Sequence, residues 1–240
     1  MSQQINLNEL DKSGDVRQIA EDAGVDRSTF LRNGALAGAG AVGLGIFGLP
    51  SIADATISTK KKSLKNDVKI LNYALLLEYL EFSFYDAAVK QGTFASEPLK
   101  QFAAVVRAHE KAHVDFLKKG LGKSAIGVPT LNTDAVKTAI SVENFAATAQ
   151  ALEDTGVSAY AGQGPNLKTK GFVVAALQIH SVEARHAAWI RTLLLPSDVN
   201  TAKTSALPAP VSFDKARTQG QVLKVVGSTK LVKSFDKSKI

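Results

Sequence analysis

From Asn66 onward the apolar residues recur at three- and four-residue steps. Val68, Leu71, Leu75, Tyr79 and Phe82 fall on one helical face. The pattern predicts a first helix over about 66–91, ended by Gly92. A second runs over about 97–119 and ends at Gly120, and the stretch 120–132, with three glycines and Pro129, reads as a loop. Ser141 is placed to cap a third helix over about 142–161, closed by Gly162-Gln163-Gly164-Pro165. A fourth covers about 169–194 and stops before Pro196. Helices this long exceed the usual length and suit a long bundle. The expected fold class is all-α: an antiparallel four-helix bundle over 66–196, with a long crossover between helices two and three. The polar stretch 197–240, with apolar groups around Val222–Val226, reads as a tail packing on that bundle.

Ahead of the bundle the pattern changes. Residues 27–32 read Arg-Ser-Thr-Phe-Leu-Arg, a weakly hydrophobic Gly/Ala-rich run follows from Gly34 to Pro50, and Ala53-Asp54-Ala55 has a small-x-small form. A charged region, an apolar region and a cleavage pattern in that order mark an export signal. Six glycines in the run argue against a buried helix, since each costs roughly 1 kcal/mol relative to alanine. Asp26-Arg27-Ser28-Thr29-Phe30-Leu31-Arg32 resembles the core of a twin-arginine signal, with Ser28 where the second arginine belongs. The expectation is a cleaved signal over 1–55, by a twin-arginine-like or Sec route, then a basic linker over 56–65. It places the mature chain outside the cytoplasm, in the periplasm, at the cell wall or secreted.

The chain has no cysteine, which excludes disulfides, thiolate metal sites and cysteine nucleophiles. Any metal must be held by Glu, Asp and His, an oxygen-rich set that suits iron or manganese. The formal charge is +7, and without the acidic first 55 residues it rises to about +10. Such a surface can attract anionic wall polymers or lipid headgroups. The lysines are scattered and few aromatics lie among them, so nucleic acid is not an expected partner.

All four histidines fall in the second and fourth helices. The second holds Glu110-Lys-Ala-His113 and the fourth Glu183-Ala-Arg-His186. Residues three apart share a helix face, so each Glu-x-x-His offers two ligands to one site. Seven glutamates and four histidines after residue 55 would give roughly 0.15 such motifs by chance. The first helix adds Glu78, with Tyr85 two turns later, and the third adds Glu153, with Tyr160 two turns later. The chain thus reads twice: Glu, Tyr, Glu-x-x-His. Four carboxylates in a bundle core would repel one another, and two divalent cations would neutralise them. Neutral imidazoles complete the ligand set without adding charge. One Glu from each of two helices and Glu-x-x-His from the other two is the di-metal carboxylate pattern.

Glu81, one turn from Glu78, is an alternative ligand. His180, one turn before Glu183, is a candidate further ligand or base. His109, about 100° round the helix from Glu110, is expected to face a neighbouring helix or solvent. Tyr85 and Tyr160 are expected to donate hydrogen bonds to glutamates across the bundle, core aromatics being the plainer alternative. Trp189 reads as core, and Glu97 and Glu143 as acids at helix starts.

The arrangement resembles the ferritin-like superfamily of bacterioferritins and rubrerythrins. The local wording is closer to the ferritin-like domain family that includes plant desiccation-related proteins. The runs that carry it are Asn66-Asp67-Val68-Lys69-Ile70-Leu71-Asn72-Tyr73-Ala74-Leu75 with Leu77-Glu78-Tyr79-Leu80-Glu81, then Ala151-Leu152-Glu153-Asp154-Thr155-Gly156-Val157-Ser158-Ala159-Tyr160, and Val182-Glu183-Ala184-Arg185-His186-Ala187-Ala188. The segment from Phe213-Asp214-Lys215 to Val226 is similar to the family's C-terminal part, and the resemblance spans about 64–228. It implies a ferritin-like bundle holding two iron or two manganese ions on Glu78, Glu110, His113, Glu153, Glu183 and His186, with Glu110 and Glu183 bridging them. Expected chemistry is oxidoreduction of dioxygen, peroxide or Fe(II), in the manner of a peroxidase, catalase or ferroxidase. The alternative is a non-enzymatic stress or surface protein in which the metal only staples the bundle.

Overall fold

A computed structural model describes residues 57, 58 and 61–240; the expected export signal and its cleavage point lie outside the described residues. Four long helices make the body: α1 (Leu64–Gln91), α2 (Glu97–Leu121), α4 (Phe145–Gln163) and α5 (Lys170–Leu193). α1 packs along α2 and α4 along α5, and contacts of α2 with α5 and of α1 with α4 close the bundle. The long connection between α2 and α4 makes the crossover and contains a short helix, α3 (Thr133–Ala139). The fold is the expected all-α four-helix bundle with a long crossover between the second and third long helices.

Local chemistry accounts for the helix ends. The Ser63 side chain accepts from Asn66 N and starts α1, so Leu64 and Lys65 are helical rather than part of a linker. Gly92, with φ of 72°, ends it in the left-handed conformation that glycine tolerates best. Ser96 caps α2, with Pro98 in its first turn. α2 continues through Gly120 and stops at Gly122, whose φ is 53°. Gly120 can adopt helical angles like any residue, whereas Gly122 takes an angle that side chains disfavour. The third long helix, α4, begins at Phe145, not after Ser141, because the Ser141 carbonyl accepts from Asn144 N and Phe145 N in a turn.

Buried polar side chains tie the ends of the bundle together. Asp67 on α1 accepts from Lys168 N at 2.7 Å and from Thr169 N at 3.0 Å, fixing the start of α5. Asn72 accepts from Ile126 N at 2.7 Å and donates to Ser124 O at 2.9 Å, anchoring the crossover. Strand β1 (Thr130–Leu131) pairs antiparallel with β2 (Val232–Ser234), which joins the crossover to the end of the chain. Helix α6 (Gln219–Thr229) lies on α4 and buries Val222, Leu223 and Val226. At one end of the core, Phe84, Tyr85, Phe94, Phe102 and Phe145 pack mostly edge to face, and half-buried Trp189 meets Phe102 at 5.2 Å.

Candidate metal centre

Every long helix sends a glutamate into the bundle axis. Glu78 on α1, Glu110 on α2, Glu153 on α4 and Glu183 on α5 are all fully buried, and His186 nearly so. The Glu-x-x-His spacing brings His113 and His186 to the same level. Two groups of ligand atoms result, each with all members within 4.8 Å of one another: Glu78, Glu110, His113 and Glu183, and then Glu110, Glu153, Glu183 and His186.

Glu110 and Glu183 belong to both groups, and each divides its oxygens between them. Glu110 presents Oε2 to His113 Nδ1 at 3.1 Å and Oε1 to His186 Nδ1 at 3.2 Å. Glu183 presents Oε1 to His113 Nδ1 at 3.1 Å and Oε2 to His186 Nδ1 at 3.8 Å. The outer glutamates serve one group each: Glu78 Oε2 lies 3.2 Å from His113 Nδ1, and Glu153 Oε2 lies 3.2 Å from His186 Nδ1.

The tyrosines hold the outer glutamates from the far side. Tyr85 on α1 donates to Glu153 Oε1 on α4, and Tyr160 on α4 donates to Glu78 Oε1 on α1. Each hydroxyl occupies the outward oxygen and leaves Oε2 facing inward. Burial, and then the carboxylates nearby, hold both phenols well above their ordinary range, so they keep the proton they donate.

The donor set fits bound metal cations. Glu110 Oε1, Glu153 Oε2, Glu183 Oε1 and Oε2 and His186 Nδ1 are buried without a hydrogen-bond partner. His186 Nδ1 lies 3.2 Å from both Glu110 Oε1 and Glu153 Oε2, and Glu183 Oε1 lies 3.1 Å from His113 Nδ1, without hydrogen-bond geometry, as lone pairs do when directed at common points. Unpaired buried carboxylates are costly, and cations at those points remove the cost. In the metal-free chain protons take that part. Burial, and then Glu183 and Glu78, hold Glu110 well above the carboxylate range, and burial raises Glu153 to about 7. Against its burial, the carboxylates of Glu110, Glu153 and Glu183 push His186 up to about 12, and His113 is likewise raised by Glu110, Glu183 and Glu78. Burial opposes the ionised form of Glu183, but His113 and His186 hold it down at about 2.

The remaining sequence candidates separate. Glu81 is buried beside the site, and burial followed by the Glu183 charge holds it well above its ordinary range. It is not in either ligand group, whereas Glu78 is. His180 is half-buried, with its Nδ1 unpartnered, and also stands outside both groups. Glu143 is exposed and Glu97 sits in the first turn of α2. His109 is exposed yet touches the site: its Nδ1 lies 2.9 Å from His186 Nε2.

Gly156 is a residue of the site that the sequence reading passed over. A Cβ there would stand 3.2 Å from Glu81 Oε1 and 3.3 Å from Glu183 Oε2. The signal was available, because a glycine in mid-helix costs roughly 1 kcal/mol against alanine and calls for a packing reason.

No curated protein matches the chain. A family model described as a ferritin-like domain matches residues 66–196, more than half of the chain and all of the four long helices but the first two residues of α1. The chain therefore belongs to the ferritin-like domain family.

Proposed function

We propose that the six side chains Glu78, Glu110, His113, Glu153, Glu183 and His186 hold two iron or two manganese ions. On this reading the chain is an oxidoreductase acting on dioxygen, peroxide or Fe(II). The observation that supports it best is the division of Glu110 and Glu183, each giving one oxygen to the His113 group and the other to the His186 group. When bound, such a pair supplies two electrons together and Lewis acidity toward an oxygen substrate. The protein's part is positional. Glu110 and Glu183 fix the spacing of the two positions, Tyr85 and Tyr160 lock the outer carboxylates, and the surrounding apolar helices exclude bulk water. Metal analysis of protein purified from its native host, followed by peroxide-consumption and Fe(II)-oxidation assays, tests this. Two ions per chain with turnover is the expected result; no bound metal overturns the reading.

The full burial of all four glutamates favours a second reading, in which the metal pair only staples the bundle in a stress or surface protein. Two bound ions without turnover on any of the three substrates selects it. Export belongs with either reading, supported by the charged, apolar and small-x-small order of residues 27–55. Contact with an anionic wall or membrane surface is supported by the basic mature chain. Among the described residues no helix is long and apolar enough to cross a membrane.

A further inference from the structure

We propose that His109 is a positioning residue for His186 and makes the two metal positions unequal. The inference rests on the metal reading above. His186 turns Nδ1 toward Glu110 and Glu153 and Nε2 toward His109 Nδ1, at 2.9 Å. The two rings are 14° from parallel with centres 5.1 Å apart. That separation equals the nitrogen–nitrogen distance plus about one ring radius at each end. The rings therefore meet edge to edge, along a line through both centres, and not face to face.

Direction follows from the site. A metal-binding Nδ1 must present a lone pair, so the proton of neutral His186 sits on Nε2 and is donated to His109 Nδ1. His109 thereby holds the ring with its lone pair toward the carboxylates. His113 lacks this support: among the described residues its contacts are through Nδ1 alone, with Glu78, Glu110 and Glu183. The internal repeat breaks at the same point, since the residue before Glu110 is His109 and the residue before Glu183 is Val182. The His186 position is held more firmly, and its ligand is linked through one exposed imidazole to the protein surface.

The test is a Co(II) titration of the full chain, followed by visible absorption and by competition with a chelator. H186A and H113A assign the two binding steps. H109A is expected to weaken the step assigned to His186 by about 10- to 100-fold and to leave the other unchanged. H109N places an amide oxygen near the former Nδ1 and is expected to restore the wild-type titration. H109A strips buried His186 Nε2 of its partner and is expected to lower the metal-free melting temperature, while H109N, which keeps an acceptor there, should match the wild type. Wild-type protein that binds two ions, with H109A titrating identically, overturns this inference alone, as does an H109N variant as weak as H109A. Wild-type protein that binds no Co(II) overturns the metal reading together with it.

Discussion

Tyr85 on α1 donates its hydroxyl to Glu153 on α4, while Tyr160, seven residues after Glu153, donates in return to Glu78 on α1. Each half of the repeat thus holds the carboxylate of the other. Tyr85→Phe leaves Glu153 Oε1 buried with no donor, at a cost of about 1–3 kcal/mol. Metal affinity is expected to fall about 10-fold. Chemical denaturation and chelator competition check both, and Tyr160→Phe should repeat the result through Glu78. An unchanged affinity in both variants would show that the outer carboxylates need no such hold.

Gly156→Ala tests the close approach of Glu81 and Glu183 to α4. Helix propensity alone would stabilise the variant by roughly 1 kcal/mol. Contact of the new methyl with two carboxylate oxygens at 3.2 and 3.3 Å works against that gain and displaces a shared ligand. The expected outcome is weaker metal binding with the fold retained, read by circular dichroism and metal titration.

Gly162→Ala tests how the tail is seated. Its Cβ would stand 1.9 Å from the Arg217 carbonyl, where Arg217 N donates to Ser158 O at 3.0 Å. Backbone cannot yield that far in place, so the segment before α6 must lift from α4. Limited proteolysis should cut the variant between α5 and α6 faster than the wild type.

Metal removal should reverse the pH dependence of stability. In the metal-free chain, burial and then like charges hold Glu81 and Glu110 well above the usual 4.5, and burial raises Glu153 to about 7. The folded state then binds protons that the unfolded chain has released, so stability falls as pH rises above about 4.5. His113 and His186 act in the same sense. Raised from 6.5 by the carboxylates, they contribute fully below that pH and lose the contribution as pH rises, toward about 12 for His186. Glu183, held at about 2, contributes above 4.5 and loses that only in acid. With metal bound those protons must leave, so the same rise in pH strengthens binding. Thermal unfolding from about pH 5 to pH 9, with and without chelator, should give slopes of opposite sign. Parallel slopes would mean that the buried cluster holds no metal.

The four long helices were legible because their apolar positions repeat at helical spacing over many turns, and the two Glu-x-x-His pairs because ligands three apart are a local fact. The helix α3 was not: at seven residues it carries too few turns for a periodic signal, and its cap comes from Asn132. His109 was read as facing a neighbouring helix or solvent; it does both, and its partner His186 lies 77 residues away, beyond any local spacing rule. Glu78 and Glu81 share a face one turn apart; the two-turn spacing to Tyr85 favoured Glu78 in the sequence, and the ligand group contains Glu78 while Glu81 is buried beside it.

The central claim is that Glu110 and Glu183 each serve both metal positions. Metal content per chain, measured on wild-type protein, the Glu110→Ala/Glu183→Ala double variant and a Glu143→Ala control, tests it most directly. About two ions are expected in the wild type and in the control, whose lost carboxylate is exposed, and close to none in the double variant. Full metal content in a folded double variant would contradict the account, because neither ligand group survives without those two side chains.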